Sequence, residues 1–308
     1  MPVPLISFKD YDSGDANATA NIAARMSSAL KDVGFMSVSD LGIEEDLLEQ
    51  VFTASQRFFA ADLDTKMKSA YLSASENFGY QGFGAEHLDP TKPADLKETF
   101  TMRDILNHGP DDDRWPSDEF RALMTHFYAE CLQGAYRMQR VLASALDVDE
   151  DFFVSKHLGE NVTLRLLYYP DSGADEVAES QLGAGEHTDY GLLTLLFQDD
   201  VGGLEVSDAE GNWIAVDPVS ASIVVNSGDL LERWTNGIYR STPHRVKSKI
   251  GHRARFSIAM FVDPDSATQV DVLASCISAD RPSRFATITA GEHIQERIEA
   301  THKGLGST

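Results

Sequence analysis

Cysteine is nearly absent from this 308-residue chain: only Cys131 and Cys276 occur, far apart. Two thiols cannot make the disulfide framework of a small secreted domain, so a reducing cytoplasm is the expected setting and both thiols are read as small apolar side chains. Long hydrophobic runs are missing too. No stretch of eighteen apolar residues occurs, and Met1-Pro2-Val3-Pro4 lacks the basic and apolar regions of a signal peptide. A membrane-spanning helix is thereby excluded and a soluble, non-secreted protein expected. Positive charge is scarce as well, with 26 Lys and Arg against 49 Asp and Glu and a net charge of −23. Such a surface repels phosphate backbones and anionic lipid, so neither nucleic acid nor membrane is expected as a partner. An anionic small substrate would need a locally basic pocket.

The hydrophobic content, 42%, suffices for a substantial core, and no internal repeat or low-complexity linker divides the chain. One catalytic domain spanning 1–308 is expected, and a monomer is favoured. Within it, 1–160 reads as a mainly helical N-terminal region, with apolar spacings of three and four over 18–33, 44–61 and 117–146. Short strands are expected at 4–9, 35–38 and 95–103. The segment Asn77 to Glu86, with three glycines and three aromatics, reads either as the lining of a ligand pocket or as a simple ordered loop. His126 and His157, in the helical region, are read as structural. From Asn161 to about residue 265 the segments become short and rich in Val, Leu, Ile, Thr and Tyr, punctuated by Gly, Asp-Pro and Asn-Gly. Strands are expected at 162–169, 192–197, 204–206, 213–216, 222–226, 245–247 and 255–262, the signature of a β-sandwich or barrel. Residues 266–308 form a closing segment with a helix over 290–302.

The densest chemistry stands at Gly185-Glu186-His187-Thr188-Asp189-Tyr190-Gly191-Leu192-Leu193-Thr194-Leu195-Leu196-Phe197. Side chains at i and i+2 of a strand leave one face, so His187 and Asp189 can converge on one ion. A third ligand must come from elsewhere, and His244, in Thr242-Pro243-His244-Arg245-Val246, is the best candidate. Two His and one carboxylate with open positions opposite is the ligand set of non-haem Fe(II) oxygenases. His87-Leu88-Asp89 has the same spacing, but it sits between glycines and Pro90 with no apolar strand, and is read as a loop. Arg255 and Ser257 share a face of the last strong strand. If that strand neighbours the one carrying His244, a dicarboxylate could chelate the ion at one end and meet the Arg255 guanidinium at the other, as 2-oxoglutarate would.

The ordered set His187-Thr188-Asp189, His244 and Arg255-Phe256-Ser257, with Asp200-Val201-Gly202-Gly203-Leu204-Glu205-Val206 and Asp95-Leu96-Lys97-Glu98, resembles the isopenicillin N synthase-like family of Fe(II)/2-oxoglutarate-dependent dioxygenases. The resemblance covers nearly the whole chain and implies an α+β fold with a double-stranded β-helix, or jelly-roll, core. It also implies Fe(II), 2-oxoglutarate and molecular oxygen, with hydroxylation or desaturation of a small-molecule metabolite and no separate acid or base. His187, Asp189 and His244 would hold the metal, and Arg255 and Ser257 the distal carboxylate. Asn226-Ser227-Gly228-Asp229 would be a structural tight turn. One departure is Leu167-Tyr168-Tyr169-Pro170, where plant members commonly show Asn first; Tyr169 keeps its place near the cosubstrate. Arg165 would contact the cosubstrate or a substrate carboxylate, as in the ethylene-forming branch, or else close a salt bridge at the barrel end. Phe83, Glu86, Arg103 and Tyr190 are the candidates for facing substrate. The alternatives are a 2-oxoglutarate-independent oxidase of the isopenicillin N synthase type, an ethylene-forming member, and a jelly-roll binding protein without turnover.

Overall fold

A computed structural model describes residues 3–89, 91–107, 109–110, 113–171, 181–247 and 253–302. Its frame is eight strands, β5 (Val162–Tyr169), β6 (Leu182–His187), β7 (Leu193–Gln198), β8 (Leu204–Ser207), β9 (Trp213–Ala215), β10 (Ile223–Ser227), β11 (His244–Lys247) and β12 (Arg255–Val262). Most successive strands change sheet, which puts β10-β7-β12-β5 in one layer and β6-β11-β8-β9 in the other. Two facing antiparallel layers of this kind form a jelly roll, the core that the resemblance implied.

The N-terminal region lengthens the larger layer at both edges. β1 (Leu5–Ser7) and β2 (Phe35–Ser39) join beside β10, while β3 (Phe78–Gln81) and β4 (Glu98–Arg103) join beside β5, giving eight strands in all. The helices α1 (Ala16–Asp32), α2 (Glu45–Phe59) and α4 (Asp118–Ala145) cover its outer face, with the five-residue α3 (Leu63–Met67) between the last two. Three start on side-chain caps: Asp15 accepts from Asn17 N ahead of α1, Asp62 from Thr65 N ahead of α3, and Ser117 from Phe120 N ahead of α4. The larger layer is therefore buried on both faces, and its strands show how the two cores are divided. In β12, Ile258, Met260 and Val262 pack toward the helices, while Arg255, Ser257, Ala259 and Phe261 line the space between the layers. In β5, Val162, Leu164 and Leu166 face the helices, and Thr163, Arg165, Leu167 and Tyr169 face inward. Period-two alternation thus sends alternate residues to a greasy outer core and to a cavity.

Four expectations need correction. Residues 78–81 are not loop but β3: Phe78 and Tyr80 are 2% and 3% exposed, and the intervening glycine hid the alternation. β6 was not expected because Gly183-Ala184-Gly185 has little β-propensity, and its pairing with β11 overrides that preference. Asp229–Trp234 is a helical turn, α5, where a tight turn alone was expected. Finally, β12 lies between β5 and β7, not beside β11, so Arg255 faces His244 across the barrel. The chain ends with β13 (Gln269–Val270), β14 (Ile288–Thr289) and α6 (Ala290–His302). Among the described residues no helix is long and apolar enough to cross a membrane. His157 is fully buried, its Nδ1 2.6 Å from the Phe153 carbonyl, whereas His126 is an exposed member of α4.

Candidate metal centre and cosubstrate pocket

His187 ends β6 and His244 begins β11, and the two are register partners, so the pairing of these strands brings their rings to 4.2 Å. Asp189 lies beyond the end of β6, in the turn before β7. His187 and Asp189 do converge as expected, but by a different geometry: the turn, not a shared strand face, points the carboxylate at the imidazoles. Asp189 Oδ1 is 3.9 Å from His187 Nε2 and 3.7 Å from His244 Nε2, and the three ligand atoms lie within 4.8 Å of one another. These gaps are too long for direct hydrogen bonds, and a cation with bonds of about 2 Å can bridge them.

The remaining atoms of the three side chains are already committed. His187 Nδ1 is 2.8 Å from the Gly185 carbonyl and His244 Nδ1 is 3.1 Å from that of Thr242, so each Nδ1 carries the proton and Nε2 keeps its lone pair. Asp189 Oδ2 accepts from Thr194 Oγ1 at 2.5 Å and Asn226 Nδ2 at 2.7 Å, which leaves Oδ1 for an ion. Thr194 and Asn226 are themselves cross-strand partners of β7 and β10. Burial opposes ionisation of Asp189, but the two imidazoles and these hydrogen bonds outweigh it and hold its pKa below the usual range. Burial, then the second imidazole beside it, pushes His187 down to about 3, so it stays neutral as a ligand must. The donor set thus fits Fe(II).

Close backbone packing holds the turn. A Cβ on Gly228 would lie 2.4 Å from the Gly191 carbonyl oxygen and 3.0 Å from that of Asp189. Only glycine lets the start of α5 pass so near. Asp229 N then donates to the Asp189 carbonyl at 2.8 Å.

Across the barrel, Arg255 is 1% exposed. Its Nε donates to the Gly202 carbonyl at 2.7 Å, Nη1 to Ser257 Oγ at 3.1 Å and Nη2 to Gln198 Oε1 at 2.9 Å, and the guanidinium lies 4.9 Å from the Tyr169 ring. Among the described residues three of its five N–H groups are used and two remain, the number a carboxylate takes from a fork.

The ligands and Arg255 share a cavity of about 360 Å³, which Tyr169, Ser257, Arg165, Glu86, Arg103 and Tyr190 also line. Phe83 does not join them. It is half exposed, its ring centroid 6.4 Å from that of Tyr168. Arg165 is ion-paired to Glu86 and donates to Thr99 Oγ1, so the salt-bridge reading describes its contacts, though it sits on the cavity wall. Burial alone would raise the Glu86 pKa, but Arg165 and Lys97 hold it well below the carboxylate range. The chain of charges continues from Glu86 to Lys97 at 3.0 Å, to Asp95 at 2.7 Å, and on to the Gly185 amide at 3.0 Å, tying this wall to the strand that carries His187. His87 turns its Nε2 to the Lys92 carbonyl at 2.5 Å, and among the described residues it belongs to no group of three metal ligands. Sequence reasoning missed Thr194, Asn226, Gln198 and Lys97, along with Asp263, a cavity carboxyl that burial and then Asp189 raise to about 8.

A jelly roll holding a largely buried His/Asp/His set opposite an arginine fork defines a non-haem iron oxygenase suited to a 2-oxo acid. Comparison with known proteins agrees. Residues 160–264 match the model of the 2OG-Fe(II) oxygenase superfamily, and 3–122 that of the non-haem dioxygenase in morphine synthesis N-terminal family. The 2-oxoglutarate-Fe(II) type oxidoreductase hxnY of Emericella nidulans is 33% identical over 95% of this chain and 88% of its own length. A full-length Neurospora crassa protein crystallised in complex with alpha-KG and thymine superposes with a TM-score of 0.88 at 30% identity, over 97% of each chain. JOX2 in complex with 2OG, Fe and JA gives 0.82 at 26% identity, over 98% of this chain and 89% of that one. The chain belongs to the Fe(II)/2-oxoglutarate-dependent oxygenase family and is a 2-oxoglutarate-dependent dioxygenase that uses Fe(II) and molecular oxygen.

Proposed function

We propose that the chain hydroxylates a compact, polar metabolite, with 2-oxoglutarate and oxygen converted to succinate, carbon dioxide and the hydroxylated product. The observation that carries this reading is the pairing, in one cavity, of three converging ligand atoms with a buried guanidinium that keeps two N–H groups uncommitted.

His187, Asp189 and His244 hold the iron, which when bound supplies the activation of oxygen. Arg255 and Ser257 take the distal carboxylate of 2-oxoglutarate, and the Tyr169 ring under the guanidinium keeps the fork in plane. Arg165, already matched by Glu86, serves as a fixed polar wall on the substrate side. Arg103, Tyr190, Phe261, Asn161 and Asp263 line the rest of the cavity, a mixture of aromatic and hydrogen-bonding groups suited to a small polar ring or chain. The whole of 1–308 works as one catalytic domain, as a monomer in the cytoplasm. Its acidic surface keeps nucleic acid and anionic membranes away. No residue is assigned as a separate acid or base.

The test is anaerobic reconstitution with Fe(II) followed by 2-oxoglutarate, watching for the visible charge-transfer band of an iron-bound 2-oxo acid. The band should form with the unaltered chain and vanish in His187→Ala. A band that persists in His187→Ala, or never forms, overturns the assignment.

A further inference from the structure

The C-terminal helix α6 reaches the metal centre without supplying a ligand. Ile294 and Ile298 line the cavity, so the helix forms part of its wall. Arg297, between them, touches both neighbours of Asp189. Its Nη2 donates to Thr188 Oγ1 at 2.8 Å, and its guanidinium lies 5.1 Å from the Tyr190 ring. Its Nε stands 3.1 Å from Asp229 Oδ2.

Asp229 is the hub of this contact. Its amide donates to the Asp189 carbonyl at 2.8 Å, its Oδ1 accepts from Ser241 Oγ at 2.5 Å, and His293 Nε2 approaches its Oδ2 at 3.6 Å. Ser241, three residues before His244, is held a second time by its amide's bond to Glu232 Oε2 at 2.7 Å. Asp229 thus joins three segments: its carboxylate holds α6 and the segment leading to His244, and its amide holds the turn carrying Asp189.

We propose that Arg297 is a positioning residue for the metal centre: docking of α6 through Arg297 on Asp229 and Thr188 sets the aim of Asp189 and closes the pocket over it. This rests on the iron site proposed above. The Arg297 side chain is 40% exposed, so its ion pair with Asp229 contributes little to global stability. The effect of removing it should therefore appear in the metal site and not in the unfolding curve. Groups that orient ligands from behind typically change metal affinity by roughly 10–100-fold. A bridge shared by one partly exposed arginine belongs at the lower end.

The test uses the full chain and Co(II), whose visible bands report ligand geometry, together with urea unfolding. Arg297→Met should weaken Co(II) binding roughly tenfold and alter the bands while leaving the urea midpoint unchanged. Arg297→Lys, which keeps the charge near Asp229 but loses the fork, should lie between. Thr188→Val removes the acceptor with α6 intact and should weaken binding too, and combining it with Arg297→Met should add little further loss. Wild-type affinity and bands in Arg297→Met overturn the inference, as do fully additive losses in the double variant. If Arg297→Met fails to fold, the bracing role is overturned unless Thr188→Val alone shows the weakened site with an unchanged midpoint. If Co(II) does not bind the unaltered chain, or binds equally well to His187→Ala, the metal site itself fails and the inference with it.

Discussion

Replacing Arg255 with Gln, and replacing 2-oxoglutarate with 2-oxopentanoate, removes the same contact from its two sides. The arginine spends three N–H groups on Gly202, Ser257 and Gln198 and keeps two for a ligand. Hydrogen bonds to a charged group are worth about 1.5–3 kcal/mol each, and two made from one rigid fork are not fully additive. Taking about 3 kcal/mol for the pair gives a change in Kd of roughly 100-fold. The unaltered chain should therefore bind 2-oxoglutarate roughly 100-fold more tightly than 2-oxopentanoate, whose terminal methyl stands where the distal carboxylate would be. In Arg255→Gln that preference should collapse to less than about fivefold, with affinity for 2-oxopentanoate little altered. Anaerobic titration of the charge-transfer band measures all four values. Urea unfolding alongside is needed, because the variant also leaves the buried Gly202 carbonyl without its donor. If Arg255→Gln still prefers 2-oxoglutarate as strongly as the unaltered chain, the carboxylate is held elsewhere and the reasoning fails.

Three further outcomes are expected. Asn226→Ala frees one lone pair of Asp189 Oδ2 and should weaken Fe(II) binding roughly 10–100-fold in an anaerobic titration; unchanged affinity would show that Thr194 suffices. Gly228→Ala drives a methyl into the backbone of Gly191 and Asp189, so it should cost about 1–3 kcal/mol in urea unfolding and distort the Co(II) spectrum, and a wild-type spectrum would contradict the packing described. Burial pushes His157 down to about 4, whereas the unfolded chain titrates it near 6.5. Between those values the unfolded state binds more protons, so stability falls as pH drops through that window, by up to about 3 kcal/mol. His157→Gln should flatten the urea-midpoint profile between pH 7 and 5; an unchanged slope would assign the acid sensitivity to other groups.

The ligands were legible because their flanks are distinctive. His187-Thr188-Asp189 precedes an apolar strand, and Arg255 and Ser257 alternate within another, so local pattern was enough to find them. Their support was not. Thr194 and Asn226 look like ordinary strand residues, and only the register of β7 against β10 reveals that both reach one carboxylate oxygen. Asp263 follows the strongest strand as an ordinary Asp-Pro turn, and the cavity facing it comes from distant segments. The barrel strands were placed within a residue or two wherever β-branched and aromatic residues dominate. β6 escaped because a Gly-Ala-Gly stretch becomes a strand only when a partner supplies its hydrogen bonds. The residue types that carry the chemistry were readable locally, whereas the contacts that aim them depend on pairings between remote positions.

The central place of β12 bears on how the chain is made. It joins β5 to β7, yet it is the last strand of the barrel to be synthesised. Until Arg255–Val262 has left the ribosome, Val162–Tyr169 and Leu193–Gln198 each present an open edge rich in apolar side chains, and the edge of β2 away from β1 has waited since Phe35–Ser39 for a partner that begins at Ile223. Such edges are templates for pairing with other chains. Substitutions that slow the arrival or weaken the pairing of β12 will therefore show first as insoluble protein during expression, before any defect in turnover can be measured.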